Sequence, residues 1–218
     1  MIDLSFPIAE GMFRFPREYH PEVRVEVIGT YEEHRCQVRR LTLGTHTGTH
    51  VDAPRHFFPQ GATIDSIPLD MLLTEAVLFD APGAPGTVIG RQHVPAGGAP
   101  PAGELQAGQT AMLRTGWWRR WGADFYDNPP RLEAAAAAGL LDAGAVAIAV
   151  DFPVGIDIHE LVLGRGKLLI ENICRLDEIQ ARRFWLLALP LRISDGDGAP
   201  ARVVAVEGGH EASRPTTR

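Results

Sequence analysis

The chain is poor in the features that mark several common protein classes. It has two cysteines, Cys36 and Cys174, in 218 residues, too few for a disulfide-stapled scaffold or a thiolate-ligated zinc site. Neither has a histidine at a spacing that would activate a thiol, so cysteine catalysis is not expected. No apolar run approaches the roughly 20 residues of a membrane span; even AVAIAVDFPVGI is interrupted at Asp151. The opening MIDLSFPIAEG carries an acidic residue at position 3 and no basic cluster, so it does not read as a secretory leader. A reducing cytoplasm is the expected compartment. Basic excess is absent too: 21 Lys and Arg stand against 27 Asp and Glu, a formal charge of −6. With both signs interspersed, nucleic acid and an anionic membrane are not expected partners. GWWRRW, with Arg119 and Arg120 among Trp117, Trp118 and Trp121, reads as an exposed turn beside packed aromatics rather than a nucleic-acid patch. GRGK at 164–167 lacks the phosphate-loop spacing.

What is present is an ordinary globular composition, 45% hydrophobic and 22% charged, long enough for one sizeable domain. There is no internal repeat and no Gly/Ser linker that would divide it. Alternation in VRVEVIG and CQVRRLTL predicts two early strands, and EAVLFDA and TAMLRTGW two more. The Gly-, Pro- and Ala-rich residues 81 to 109 read mostly as irregular surface. RLEAAAAAGLLDAG predicts a helix ended near Gly144. AVAIAVDF, KLLIENI, FWLLALPLRI and ARVVAVE read as further strands, the first buried on both faces. The expectation is a sheet-rich α/β or α+β single domain over residues 1–208, with 209–218 a disordered tail. Strand order is not readable.

One stretch stands apart. GTHTGTHVDAPRHF, residues 44 to 57, holds His46, His50, Asp52 and His56. Its β-branched threonines and valine, Gly48 and Pro54 disfavour a helix. If the segment is extended, alternate side chains share a face, which gathers His46, His50, Asp52 and His56 there and leaves Thr45, Thr47, Thr49 and Val51 to the sheet. Burying these groups together without a cation would leave several unpaired, so the cluster reads as a metal site. Nitrogen and oxygen ligands without thiolate suit zinc or manganese. His46, His50 and Asp52 alone would leave coordination positions open, the mark of a catalytic ion. Glu171, inside the apolar run LLIENI, and His159, in GIDIHELVLG, are further candidates. Their alternatives are a carboxylate paired with an arginine and a histidine on a helix surface.

HTGTHVDAPRHF resembles the signature of the metal-dependent cyclase-like hydrolases, which include bacterial kynurenine formamidases and isatin hydrolases. DLSFPIAEGM, PLD at 68–70, RTGWWRRWG, VDFPVGID, LLIENI and LALPLRI extend the similarity over most of the chain. The resemblance implies a swivelling β/β/α fold and a homodimer or larger assembly. It makes His46, His50 and Asp52 ligands of one ion. It makes Asp52 and Glu171 bridges to a second ion, completed by His159, and His56 the acid/base; one or two ions, zinc or manganese, are compatible. Where the formamidases have an N-terminal tryptophan and a Pro-Gly-Asp turn, this chain has Phe13, Phe15 and Arg17. Phe13 and Phe15 are the corresponding candidates for the substrate pocket.

The implied chemistry is hydrolysis of a non-peptide carbon–nitrogen bond in a small molecule, an aryl formamide or a small cyclic amide. Metal-activated water would attack the carbonyl, and His56 would relay the proton. Asp151 and Asp157 could orient ligating histidines, although strand-end capping is the simpler role for each. A cyclase, dehydratase or lactonase could use the same residues. A noncatalytic metal-binding protein would have no need of His56. His20, His34, His93 and His210 have no partners at useful spacing and read as surface residues.

Overall fold

In the computed structural model, which describes residues 1–94 and 105–208, most strands join one mixed sheet. In chain order the strands are β1 (Ile2–Asp3), β2 (Arg24–Gly29), β3 (Val38–Thr42), β4 (His50–Asp52), β5 (Leu73–Asp80) and β6 (Val88–Ile89). They continue with β7 (Thr110–Arg114), β8 (Arg131–Leu132), β9 (Ala147–Val150), β10 (Leu168–Glu171), β11 (Arg183–Pro190) and β12 (Gly198–Val206). Four α-helices accompany them among the described residues: α1 (Tyr31–His34), α2 (Leu69–Leu72), α3 (Ala134–Asp142) and α4 (Ile156–Gly164). The sheet runs β1-β12-β11-β5-β7-β9-β10-β4, and β12 also pairs with β4. Seven strands therefore close into a barrel, with β1 added at its edge. No helix among the described residues is long and apolar enough to cross a membrane.

The strands β5, β7, β9 and β10 are parallel. Parallel neighbours need crossovers; α3 joins β7 to β9 and α4 joins β9 to β10, and both helices cover the barrel's outer face. The strands between have two buried faces, which explains their lack of polar alternation. Ala76, Leu78, Met112, Ala147, Ala149 and Ile170 point into the barrel. Their sequence neighbours Val77, Phe79, Ala111, Leu113, Ile148 and Leu169 pack outward against Ala136, Leu140, Ile158 and Val162 of the helices. Alanine recurs inside because a seven-strand barrel leaves little room there.

Each strand expected from the sequence has a counterpart. The early pair β2 and β3, however, forms a separate hairpin with mostly exposed residues. The alanine-rich helix stops at Asp142, just short of Gly144. GWWRRW is a short turn in which buried Trp117 donates its indole N–H to the Phe125 carbonyl at 2.8 Å, while Arg119 and Arg120 lie over the rings of Trp118 and Trp117. The proposed tail 209–218 lies outside the described residues, as does 95–104 of the irregular stretch.

Candidate metal centre

The histidine-rich segment is not extended throughout, as the alternation argument required. It is a strand only over His50–Asp52. His46 sits in the preceding turn, Gly48 takes a positive φ of 63°, and Pro54–His56 is a single helical turn. The side chains still converge, because the turns at Gly48 and Pro54 fold the two ends back over one strand. Val51 enters the barrel core, so its neighbours His50 and Asp52 face outward. Register then adds the next group: β4 and β10 are antiparallel with His50 opposite Glu171, and opposed residues share a face. The helix α4 brings His159 down from above.

Asp52 is the hub. It has 0% exposure, and one oxygen, Oδ1, lies 2.6 Å from His46 Nδ1 and 3.2 Å from His50 Nε2. The other, Oδ2, is buried without a hydrogen-bond partner among the described residues, 3.5 Å from His159 Nε2. Glu171 Oε2 is 3.5 Å from His50 Nε2 and 3.8 Å from His159 Nε2. A buried carboxylate oxygen left without a donor is costly, and a cation would remove that cost.

The tautomers fit as well. His50 Nδ1 donates to the Gly48 carbonyl at 2.8 Å and His159 Nδ1 to the Gly155 carbonyl at 2.9 Å, so both rings turn Nε2 toward the carboxylates. His46 Nε2 donates to Asp197 Oδ2 at 2.8 Å, leaving Nδ1 on the Asp52 side. These are the outer partners that ligating histidines need. Backbone carbonyls and Asp197 fill that role, and Asp151 and Asp157 do not. Asp151 is buried and accepts from Thr115 and Gly116, capping that turn as the simpler reading had it; Asp157 is exposed in the first turn of α4.

Protonation in the metal-free protein follows the same geometry. Burial disfavours a charged imidazole, yet Asp52 and Glu171 outweigh it and push His50 up to about 10. His159 is likewise raised to about 9, against desolvation, by Asp52 and Glu171. Burial would raise Asp52, but His50 and His46 hold it well below the usual carboxylate range. Desolvation, together with the charge of Glu171, raises Tyr126, so its hydroxyl remains a donor.

A cavity of about 320 Å³ opens onto the cluster, lined by Phe15, Tyr126, Phe57, His56, His159 and Glu171 among others. His56 Nδ1 lies 3.3 Å from Asp197 Oδ2, which leaves Nε2 for the cavity. Phe57 stacks on His159 with ring centroids 5.0 Å apart. Phe15 is in the wall; Phe13 lies behind it, 5.6 Å from Tyr126 and edge-on to Trp121. His20, expected on the surface, is partly buried and lines the same cavity, 6.5 Å from His46. Asp197 and Asn172 were missed. Asp197 is separated from His46 by 151 residues, and nothing in SDGDGAP ties it to the cluster. Asn172, which donates to the Gly48 carbonyl at 3.1 Å, had no signal beyond its place beside Glu171.

Fold and cluster together define a barrel domain with a set of imidazoles and carboxylates on its outer face that could hold a cation. Residues 2–157 match the model of the Cyclase family, described as "Putative cyclase". The kynurenine formamidase of Paracidovorax citrulli (strain AAC00-1) is 30% identical over 214 residues, 93% of this chain and 94% of that one. That of Salinibacter ruber (strain DSM 13855 / M31) is 30% identical over 213 residues, 94% of this chain and 96% of that one. Among solved structures, isatin hydrolase A from Labrenzia aggregata bound to benzyl benzoate matches with a TM-score of 0.82 and 25% identity, covering 94% of this chain and 92% of that one. The chain belongs to the cyclase family.

Proposed function

We propose that this protein is a metal-dependent hydrolase of a non-peptide carbon–nitrogen bond, acting on an aryl formamide such as N-formylkynurenine or a small cyclic amide such as isatin. The observation that carries the reading is the set of three imidazoles gathered on buried Asp52, whose Oδ2 has no hydrogen-bond partner among the described residues, beside an aromatic cavity. His46, His50, Asp52, His159 and Glu171 would hold one or two ions, zinc or manganese by the nitrogen and oxygen donor set. A bound ion would supply a Lewis acid and would lower the pKa of water from near 16 toward about 7.

The chain's own groups supply the rest. His56, held at Nδ1 by Asp197, presents Nε2 to the cavity and carries a proton to the leaving nitrogen. Phe15, Tyr126 and Phe57 hold a flat aryl group and exclude water, with Phe13 backing Tyr126. Two free cysteines suit a reducing cytoplasm. Apolar side chains left exposed on the β2–β3 hairpin, Val27, Ile28, Val38 and Leu41, support a homodimer or larger assembly. Residues 1–208 are taken as the catalytic domain.

The test is turnover of N-formylkynurenine and of isatin, followed by absorbance, with zinc or manganese and with chelator. Chelator-sensitive hydrolysis of either is expected. His56→Ala should keep its metal and lose turnover. Metal-loaded protein that hydrolyses neither substrate sinks the reading, and unchanged turnover in His56→Ala removes His56 from it.

A further inference from the structure

The cavity has two electrostatic ends. At its base are Glu171 and, beneath it, Asp52. Among the residues that line the cavity, Arg17 is the one Lys or Arg side chain. Its guanidinium lies 5.8 Å over the Phe15 ring and, among the described residues, makes no ion pair. The backbone around it is pinned. Arg17 N–H donates to the Phe15 carbonyl at 2.8 Å, His20 N–H donates to the Arg17 carbonyl at 3.0 Å, and the Arg14 guanidinium donates to the Arg17 carbonyl at 3.1 Å. A turn held this way loses little freedom when a ligand binds.

Between Arg17 and the imidazole cluster runs an aromatic wall. Phe15 is 4.9 Å from Tyr126 and 5.4 Å from His20, and His20 is 6.5 Å from His46. The rings stand 65–76° to one another, so the wall presents ring faces and edges in turn, with acidic groups at one end and a guanidinium without an ion pair among the described residues at the other. Guanidinium groups recognise carboxylates through paired N–H donors.

We propose that Arg17 forms an anion subsite at the cavity mouth, so that the preferred substrates are aryl amides bearing a carboxylate remote from the scissile bond. The inference takes its reaction from the hydrolase reading, but the subsite itself can be tested without turnover. N-Formylkynurenine carries such a carboxylate; 2-formamidoacetophenone has the same ortho-acyl formanilide without it. In the wild-type protein the ratio of kcat/KM, charged over neutral, should exceed one. In Arg17→Ala it should fall about tenfold, with the loss in KM, and Arg17→Lys should restore part of it. In parallel, calorimetric binding of kynurenine against 2-aminoacetophenone should show the same preference and its loss in Arg17→Ala. If neither these amides nor isatin is hydrolysed but the binding preference appears and depends on Arg17, the subsite stands and the hydrolase reading falls. Equal ratios in wild type and Arg17→Ala, or equal binding of the two ligands by the wild type, overturn the subsite whatever the turnover.

Discussion

Replacing Asp197 with asparagine keeps the side chain's size and removes its charge, at a carboxylate whose Oδ2 serves two rings. It accepts from His46 Nε2 at 2.8 Å and faces His56 Nδ1 at 3.3 Å. The His46 bond leaves Nδ1 toward Asp52, and the His56 contact leaves Nε2 toward the cavity. Burial works against the charged form, but the two rings hold the carboxyl far below its usual range. A charge-assisted hydrogen bond contributes about 1.5–3 kcal/mol, and its neutral counterpart about half that. The loss is therefore about 0.75–1.5 kcal/mol for the shorter bond. The longer contact adds little, because the Asp197 side chain is 38% exposed and water can replace it. At 1.36 kcal/mol per tenfold, kcat should fall about four- to thirteenfold in Asp197→Asn. Asp197→Ala also frees the rings to turn, and about 10- to 100-fold is expected there. The assay is kcat for N-formylkynurenine with metal content measured on the same samples, so that lost chemistry is separated from lost metal. If both variants keep kcat within twofold of wild type at full metal occupancy, the orienting role assigned to Asp197 is wrong.

Three further outcomes follow from the same geometry. His50 and His159 sit at about 10 and about 9 without metal, so at pH 7 both are protonated and must lose those protons to bind an ion. Zinc titration in buffers of different ionisation enthalpy should show at least one proton released per ion, with affinity weakening as pH falls; no release would contradict the ligand assignment. Asp52→Ala should lose its metal, since every imidazole of the cluster except His56 faces that carboxylate, and full occupancy by elemental analysis would break the assignment. A Cβ on Gly198 would stand 2.7 Å from the Val51 carbonyl and 2.8 Å from His46 Cε1. Gly198→Ala should therefore displace His46, weaken metal binding and cost about 1–3 kcal/mol in chemical denaturation; an unaltered midpoint and metal content would show that the strand can shift freely.

Much of the candidate site was legible because its members are of types that are expensive to bury and lie close in sequence. His46, His50, Asp52 and His56 fall within eleven positions, and Glu171 is a carboxylate inside an apolar run. His159 was a candidate by residue type, but which way its imidazole points was not legible. That depends on α4 crossing over β10, a consequence of β9 and β10 being parallel neighbours. Alternation along an extended strand gathers the same side chains, but by a different local conformation, since Gly48 turns the chain. Asp197 and His20 were invisible for a plain reason: hydrogen bonds across 151 residues and ring contacts across a cavity leave no periodicity in the chain.

The sequence by itself determined the donor set, the alternation and apolar runs that become strands, and the family signature, because residue chemistry and short-range periodicity are local properties. The tertiary structure decided that the barrel closes through β4 and β12, that His50 stands opposite Glu171, and that Asp52 keeps an oxygen without a donor. It also decided that Arg17 faces the same cavity as the imidazoles. Those are matters of strand register and chain crossover, set by how two buried faces pack at once, and no stretch of sequence carries them alone.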